Sequence, residues 1–87
     1  MKIKNGFVVR AVAGQHMVVA LGEAAKSFNG IIKLNESARL IWDMLTAGAE
    51  RDELIEKLLE TYDAPRDVLA SDCDAFLLSL RENNILE

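Results

Sequence analysis

Few residues of this chain are of types that could do chemistry, and their spacing places them in helix or strand patterns. The sequence holds one cysteine and one histidine, Cys73 and His16, among 87 residues. One Cys and one His cannot supply the four N and S ligands of a structural zinc site, and a single Cys excludes an intrachain disulfide. Cys73 shares an apolar helical spacing with Phe76 and Leu80, which predicts a small core residue rather than a reactive thiol.

The remaining polar residues do not form a catalytic pattern. His16 directly follows a predicted hairpin turn, where an exposed and solvated side chain is expected. Carboxylates such as Asp72 and Asp74 follow the surface spacing of a helix. The sequence contains no glycine-rich phosphate loop and no GxSxG or HExxH motif. We therefore expect a protein that is not an enzyme and that uses no metal or other cofactor.

Composition favours a single small domain. The hydrophobic fraction is 51%, which is enough for one core at this length, so residues 1–87 are expected to form one domain. No signal-peptide pattern is present, and the most apolar early stretch, FVVRAVAG, contains Arg10 and is too short to span a bilayer. These features predict a soluble cytoplasmic protein without a membrane partner.

The net charge of −4 is unevenly distributed along the chain. Residues 1–34 carry five Lys or Arg and one Glu, a net charge of +4. Residues 35–87 carry five Lys or Arg and thirteen Asp or Glu, a net charge of −8. The front of the chain is therefore mildly basic and the back strongly acidic.

Hydrophobic periodicity predicts three strands in the first part of the chain. Two segments rich in β-branched residues, Gly6–Gly14 and Gln15–Gly22, predict a hairpin that turns near Ala13-Gly14-Gln15. A polar connection, EAAKSFN, ends in the turn signal Asn29-Gly30, and Gly30–Leu34 is predicted as a third short strand. The three strands are expected to form an antiparallel meander.

The period changes to that of a helix at Asn35, a residue type suited to an N-cap. A first helix is predicted from there to Gly48, with Trp42 at the centre of the core, and a second helix covers RDELIEKLLETY, with Glu53 and Lys57 as an exposed pair. A third helix is predicted from Pro65, as its first residue, to Asn83-Asn84, after which Ile85-Leu86 folds back on the core or frays. The predicted fold class is α+β: a winged helix-turn-helix-like arrangement with a three-stranded antiparallel sheet followed by a three-helix bundle, β-β-β-α-α-α.

A small sheet with three helices is also typical of winged-helix DNA-binding modules, whose recognition helix needs Lys and Arg for phosphates and base edges. Here the third helix holds two arginines, Arg66 and Arg81, against four acidic residues (Asp67, Asp72, Asp74 and Glu82). Repulsion from phosphates disfavours a nucleic-acid partner. A DNA-binding module stays as an alternative function, and so does a structural adaptor that docks an enzyme or dimerises.

The third strand runs straight into the first predicted helix in the segment GIIKLNESARLIWDML, and one edge of this strand is expected to be free. Proteins usually blunt a free edge by charge or brevity, and Lys33 in a short strand fits that interpretation. An open edge can equally accept an extended peptide as a further strand. The residues alone leave both interpretations open, and open edges also allow homodimers or domain swapping.

The segment GIIKLNESARLIWDML resembles the strand-into-helix signature of the pyrroloquinoline quinone biosynthesis protein D (PqqD) family. In that signature a glycine and a short apolar strand lead into Leu34-Asn35, Ser37-Ala38 and Ile41-Trp42. The order of GFVVR, MVVALGEAA, DELIEKLLETYDA and AFLLSLRENNILE extends the resemblance over essentially the whole chain. The resemblance implies a non-catalytic peptide chaperone that binds the leader of a ribosomally made precursor peptide and presents it to a modifying enzyme, often a radical SAM enzyme.

The resemblance also implies where the leader peptide binds. In the family the leader adds to the edge of the third strand and lies against the third helix. On this chain the strand positions are Ile31, Ile32, Lys33 and Leu34, and the opposing helix positions are Val68, Asp72, Ala75, Phe76 and Ser79. Alternation along the strand predicts that Ile32 and Leu34 face the core, while Ile31 and Lys33 face away from it.

Overall fold

The computed structural model describes residues 1–28 and 30–87 of the chain. Strands β1 (Phe7–Val12), β2 (Gln15–Ala20) and β3 (Ile32–Leu34) form an antiparallel sheet in the order β1-β2-β3. The helices are α1 (Ala24–Ser27), α2 (Glu36–Ala47), α3 (Arg51–Thr61) and α4 (Arg66–Glu82). The predicted α+β class and the antiparallel meander are confirmed.

β1 and β2 form a tight hairpin. Val12 pairs with Gln15, so the loop consists of Ala13 and Gly14. Both loop residues have a positive φ, 53° and 79° respectively. Two consecutive positive φ values are typical of a type I′ turn, whose twist matches that of the flanking strands. The turn lies where the sequence predicted it.

Three details of the predicted elements are wrong. The connection predicted as polar loop contains the four-residue helix α1. β3 begins at Ile32 rather than Gly30, because its ladder with β2 ends at the Val18–Ile32 pair. Pro65 is the N-cap of α4 and not its first helical residue. The predicted Asn29-Gly30 turn falls partly on Asn29, which lies outside the described residues.

An aromatic contact packs the segment before β3 against β1. The ring of Phe28 packs edge-on against the ring of Phe7, with centroids 5.6 Å apart and planes at 88°. Such a geometry places the positive edge of one ring against the negative face of the other. Phe28 is thereby held against Phe7 of β1, four residues before β3 begins.

α2 begins immediately after β3 because Asn35 caps it. The Asn35 side-chain oxygen accepts a hydrogen bond from the Ala38 backbone N–H at 2.9 Å and from the Ser37 hydroxyl at 3.1 Å. Gly48 ends the helix with a φ of 98°, a conformation that favours glycine. Both predicted ends of this helix are confirmed.

The core lies between the inner face of the sheet and helices α2, α3 and α4. Trp42 is only 2% exposed and lies in the core, as predicted. The other large contributors include Val18 and Leu34 from the sheet, Ile41 and Leu45 from α2, Leu54, Ile55 and Leu58 from α3, and Leu69, Leu77 and Leu80 from α4. None of the helices in the described ranges is long and apolar enough to cross a membrane.

The C-terminal residues fold back on the core rather than fraying. Ile85 is fully buried, and its carbonyl accepts a hydrogen bond from the Lys4 backbone N–H at 2.8 Å. Ile3 pairs with Leu86 in an isolated antiparallel bridge, and the Ile3 N–H donates to the Leu45 carbonyl at 3.1 Å. The two ends of the chain thus pack together beside the end of α2.

Ion pairs on the surface of α3 differ from the predicted Glu53–Lys57 pair. Glu53 instead accepts a hydrogen bond from the Glu50 backbone N–H at 3.0 Å, which satisfies a free donor of the first turn. The Lys57 ammonium lies 3.7 Å from Glu60. The capping contact satisfies the Glu50 backbone N–H, whereas an exposed ion pair contributes little to stability. Glu53 therefore bonds to this N–H rather than to Lys57.

α3 and α4 are joined by a two-pronged ion pair. The Arg51 guanidinium donates to both carboxylate oxygens of Asp74, at 2.6 and 2.9 Å. These hydrogen bonds, and the charge of the guanidinium, hold the pKa of Asp74 below its usual range. The contact joins the surfaces of α3 and α4, while the buried apolar face of α4 packs in the core.

Replacing Asn35 with Ala should destabilise the protein by about 1 kcal/mol, because the first turn of α2 loses its side-chain acceptor. Asn35→Asp retains an acceptor at the same position and is the matched control, with stability close to that of the wild type. Urea denaturation measures both. Equal losses in the two variants would show that the cap hydrogen bond is not what stabilises this junction.

Asp74→Asn should lower the stability at pH 7 slightly, and the difference from wild type should disappear in acid. Because the folded pKa of Asp74 is depressed, its contribution is present above the unfolded pKa, about 3.9, and is lost as pH falls through the lower folded pKa. Denaturation midpoints between pH 2 and 7 measure this. Asp52→Asn, beside the same arginine at 4.0 Å, is the control and should change little; a pH-independent difference would contradict the ion-pair account.

Candidate functional site

The register of the hairpin determines which backbone groups of β2 point toward β3. The Leu21 N–H donates to the Gly6 carbonyl at 2.7 Å, so these two residues form a hydrogen-bonded pair. Hydrogen-bonded and non-hydrogen-bonded pairs alternate along an antiparallel ladder. His16 and Val18 therefore fall at non-hydrogen-bonded positions toward β1, and their backbone N–H and C=O groups point toward β3.

The same alternation leaves the backbone of Lys33 free. Leu34 is opposite His16 and Ile32 is opposite Val18, so the backbone groups of Leu34 and Ile32 bond to β2. Lys33, between them, directs its N–H and C=O away from the sheet. β3 is an edge strand, so these two groups are available to an additional strand.

The side chains of this segment divide between two faces as the sequence predicted. Leu34 is buried and Ile32 is half-buried against the core. Lys33 is exposed, and Ile31 is 75% exposed although it is a large apolar residue. Ile31 lies one residue before β3 rather than inside it.

A groove of about 870 Å³ lies between the end of β3 and helix α4. On α4, Leu69, Asp72 and Phe76 line it from one helical face, since they are spaced three and four residues apart. Its other apolar lining residues are Leu34, Ala38, Ile41 and Leu58. The groove therefore has an apolar floor that is open beside the free strand edge.

Five of the nine predicted site residues line this groove: Lys33, Leu34, Asp72, Ala75 and Phe76. Ile32 is turned toward the core, and Ile31 lines a smaller neighbouring hollow of about 270 Å³ together with Phe28. Val68 is exposed on α4 outside the groove lining. Ser79 is half-buried, and its backbone carbonyl accepts a hydrogen bond from the Asn83 side chain at 2.9 Å.

Sequence reasoning missed the contribution of the hairpin and of the first turn of α2. Gly14, Gln15 and His16 line the groove from the hairpin, and Asn35 and Glu36 line it from the strand–helix junction. The alternation of β2 places His16 on the inner face, the same face as Val18, and this signal was available in the sequence. That the hairpin and α4 line one groove depends on tertiary packing, and the sequence did not indicate it.

The rim of the groove carries both signs of charge. Glu36 and Asp72 line it, and neither forms an ion pair among the described residues. Burial raises the pKa of the nearby Tyr62, and the negative charge of Glu36 raises it further. Lys33 lies at the opposite, strand side of the groove. An extended ligand in this groove meets an apolar floor and a polar rim.

The residues of chemically reactive types are arranged for packing. Cys73 is completely buried, and this burial raises the pKa of its thiol, with Asp74 adding to the effect. Its position in the core agrees with the sequence prediction. Within residues 1–28 and 30–87, no group of three or more His, Cys, Asp or Glu is placed to hold a metal ion.

Two solved structures share this fold. One is described as TbiB1 in complex with the TbiA(beta) leader peptide, with a TM-score of 0.77 and 22% sequence identity over 100% of this chain and 95% of that chain. The other is described as lasso peptide synthetase B1 complexed with the leader peptide, with a TM-score of 0.75 and 21% identity over 97% of this chain and 93% of that chain. At these identities the likeness shows a common fold.

Sequence comparison assigns the family. The chain has no match among curated proteins. The model of the family described as coenzyme PQQ synthesis protein D (PqqD) matches residues 9–86, from within β1 to the residue that pairs with Ile3. This match covers the free edge, the strand–helix junction and the wall that α4 supplies. The chain belongs to the PqqD family.

Proposed function

We propose that this chain binds the leader of a ribosomally made precursor peptide as an added strand at the edge of β3 and presents it to a modifying enzyme. The observation that carries the proposal is the outward-facing backbone of Lys33 beside the apolar groove under α4. Strand addition is a general way for an open edge to bind an extended peptide. The two solved structures with this fold hold leader peptides, which supports the proposal.

The geometry indicates how an added strand divides its side chains. A strand paired with β3 lies about 4.8 Å from it, and its successive side chains point to opposite faces. Side chains on the inner side enter the groove between Leu34 and the α4 residues Asp72 and Phe76. Those on the other side lie beside Ile31 and Lys33. Each peptide residue thus meets either the groove or the outer surface of the sheet.

Hydrogen bonds at β3 are too few to account for binding by themselves. Two main-chain hydrogen bonds at Lys33 contribute roughly 1–3 kcal/mol together, because each contributes about 0.5–1.5 kcal/mol. Micromolar binding requires about 8 kcal/mol. Most of the affinity must therefore come from apolar side chains of the peptide in the groove, and the strand edge mainly sets register and direction.

In this proposal the chain is a peptide chaperone that does no chemistry on the peptide. Family resemblance favours a radical SAM enzyme as the partner that modifies the bound precursor. The acidic residues of α4, Asp67, Asp72, Asp74 and Glu82, disfavour the alternative of duplex DNA in the same groove. The adaptor alternative is disfavoured because it gives no role to the groove.

Lys33→Pro should weaken binding of the leader segment about two- to tenfold, because proline removes the outward N–H, whose hydrogen bond contributes roughly 0.5–1.5 kcal/mol, and proline is tolerated on an edge strand. Isothermal titration with the leader of the precursor encoded beside this chain measures the affinity. Lys33→Ala keeps the N–H and is the matched control. Ile32→Pro is unsuitable, because the Ile32 N–H bonds to β2. Unchanged affinity in a folded Lys33→Pro variant would contradict strand addition.

Ala75→Arg should also weaken the leader segment at least tenfold, because a long charged side chain would fill the groove from the α4 wall. Ala75 is exposed, so the substitution leaves the core intact. Ser71→Arg, one turn earlier on the same helix and outside the groove lining, is the matched control. Equal affinities in the two variants, measured by the same titration, would place the peptide elsewhere.

A further inference from the structure

The sheet has a second surface, which shares only Lys33 with the lining of the peptide groove. Alternation along the strands places Val18 and Leu34 on the inner face, in the core. The opposite face, here called the outer face, is formed by Val8 and Arg10 of β1, Met17 and Val19 of β2, and Ile31 and Lys33 at β3. Val12, beside the hairpin loop, and Leu21, directly after β2, extend the outer face.

The outer face collects exposed apolar side chains. Five large hydrophobic residues are exposed in the described part of the chain: Val12, Leu21, Ile31, Val68 and Leu78. Three of them, Val12 (49%), Leu21 (44%) and Ile31 (75%), belong to the outer face or its ends. Ile31 also lines a shallow hollow with Met17 and Val19. Such a concentration of exposed apolar surface is typical of an interaction site.

The same face is positively charged. Arg10 is directly opposite Met17, and Met17 is directly opposite Lys33, so a cation lies on each side of a methionine in one row across the sheet. Neither cation forms a salt bridge among the described residues. No acidic residue is on the three strands, and Glu23, the one acid in residues 1–34, pairs with Lys26. A partner that is acidic and partly apolar complements this face.

An added peptide strand would extend the outer face. If the proposed function holds, every second side chain of the bound peptide lies next to Ile31 and Lys33 on this same surface. A protein that docks there touches the domain and the peptide together. An enzyme that docks on this surface would therefore recognise its substrate peptide only when the domain presents it.

Two other classes of partner fit less well. Clusters of about four to eight Lys or Arg are typical of surfaces that bind anionic lipids, and this face has two. Binding of nucleic acid likewise depends on neutralising several phosphates with Lys and Arg, and two cations neutralise few. The apolar residues between two flanking cations match a protein surface with an apolar centre and a charged rim.

We infer that the outer face of the sheet is the docking surface for an acidic, partly apolar surface of the enzyme that modifies the bound peptide, an inference that rests on the proposed function. The groove under α4 and the outer face are then adjoining sites that share only Lys33. One binds the peptide, and the other brings the enzyme to it.

The test measures binding of the purified maturation enzyme encoded beside this chain, by biolayer interferometry, with and without the leader peptide. Arg10→Glu should weaken enzyme binding about tenfold or more, and added salt should weaken the wild-type complex. Lys57→Glu makes the same charge change at an exposed position of α3 and is the matched control. This variant should bind the enzyme as the wild type does. Val12→Glu, at an exposed end of the face, is a second variant with the same expected loss.

Separate titration of the leader peptide distinguishes the two proposals. Arg10→Glu should bind the peptide as the wild type does, because Arg10 does not line the groove and is separated from β3 by β2. Full enzyme affinity in folded Arg10→Glu and Val12→Glu would overturn the docking surface while leaving the peptide site intact. The same variant is also tested with anionic phosphatidylserine vesicles, with duplex DNA and with a second copy of this chain. If Arg10→Glu abolishes binding to one of these and leaves enzyme affinity unchanged, the proposed enzyme-docking surface is wrong.

Discussion

The requirement that backbone N–H and C=O groups find partners governs the functional side of this molecule. β3 meets it on one side through β2, whereas at Lys33 on the other side the groups have no protein partner among the described residues and face water. The strand is only three residues long, and Asn35 starts α2 directly after it. No loop separates the strand from the helix, so the free edge runs straight into the groove under α4.

The remainder of the fold keeps this edge and its opposing wall in place. Leu34 anchors the end of β3 in the core, and Asn35 fixes the direction in which the chain leaves it. On the other side, the ion pair between Arg51 and Asp74 and the buried face around Leu77 hold α4 to its neighbours. The groove is therefore a gap between two separately anchored elements, and a peptide would join them into one continuous layer.

Much of this arrangement follows from local patterns in the sequence. Four features depend on neighbouring residues, and the sequence predicted them. They are the position of the hairpin turn, the Asn35 cap of α2, the end of α2 at Gly48, and the opposite directions of the Leu34 and Lys33 side chains. The short helix α1 and the late start of β3 were not predicted, because a four-residue helix is too short to show a hydrophobic period and the end of the ladder depends on pairing with β2. The contribution of His16 to the groove was missed although the alternation of β2 places it on the inner face with Val18.

The central claim concerns a single amide, and hydrogen exchange measured by NMR tests it most directly. In the free protein the Ile32 amide is bonded to β2 and should exchange slowly, whereas the outward Lys33 amide should exchange quickly. Saturation with the leader peptide should slow exchange at Lys33 strongly and change Ile32 little. If the peptide binds saturably and the Lys33 amide still exchanges as fast as in the free protein, the peptide does not add to β3 and the account is wrong.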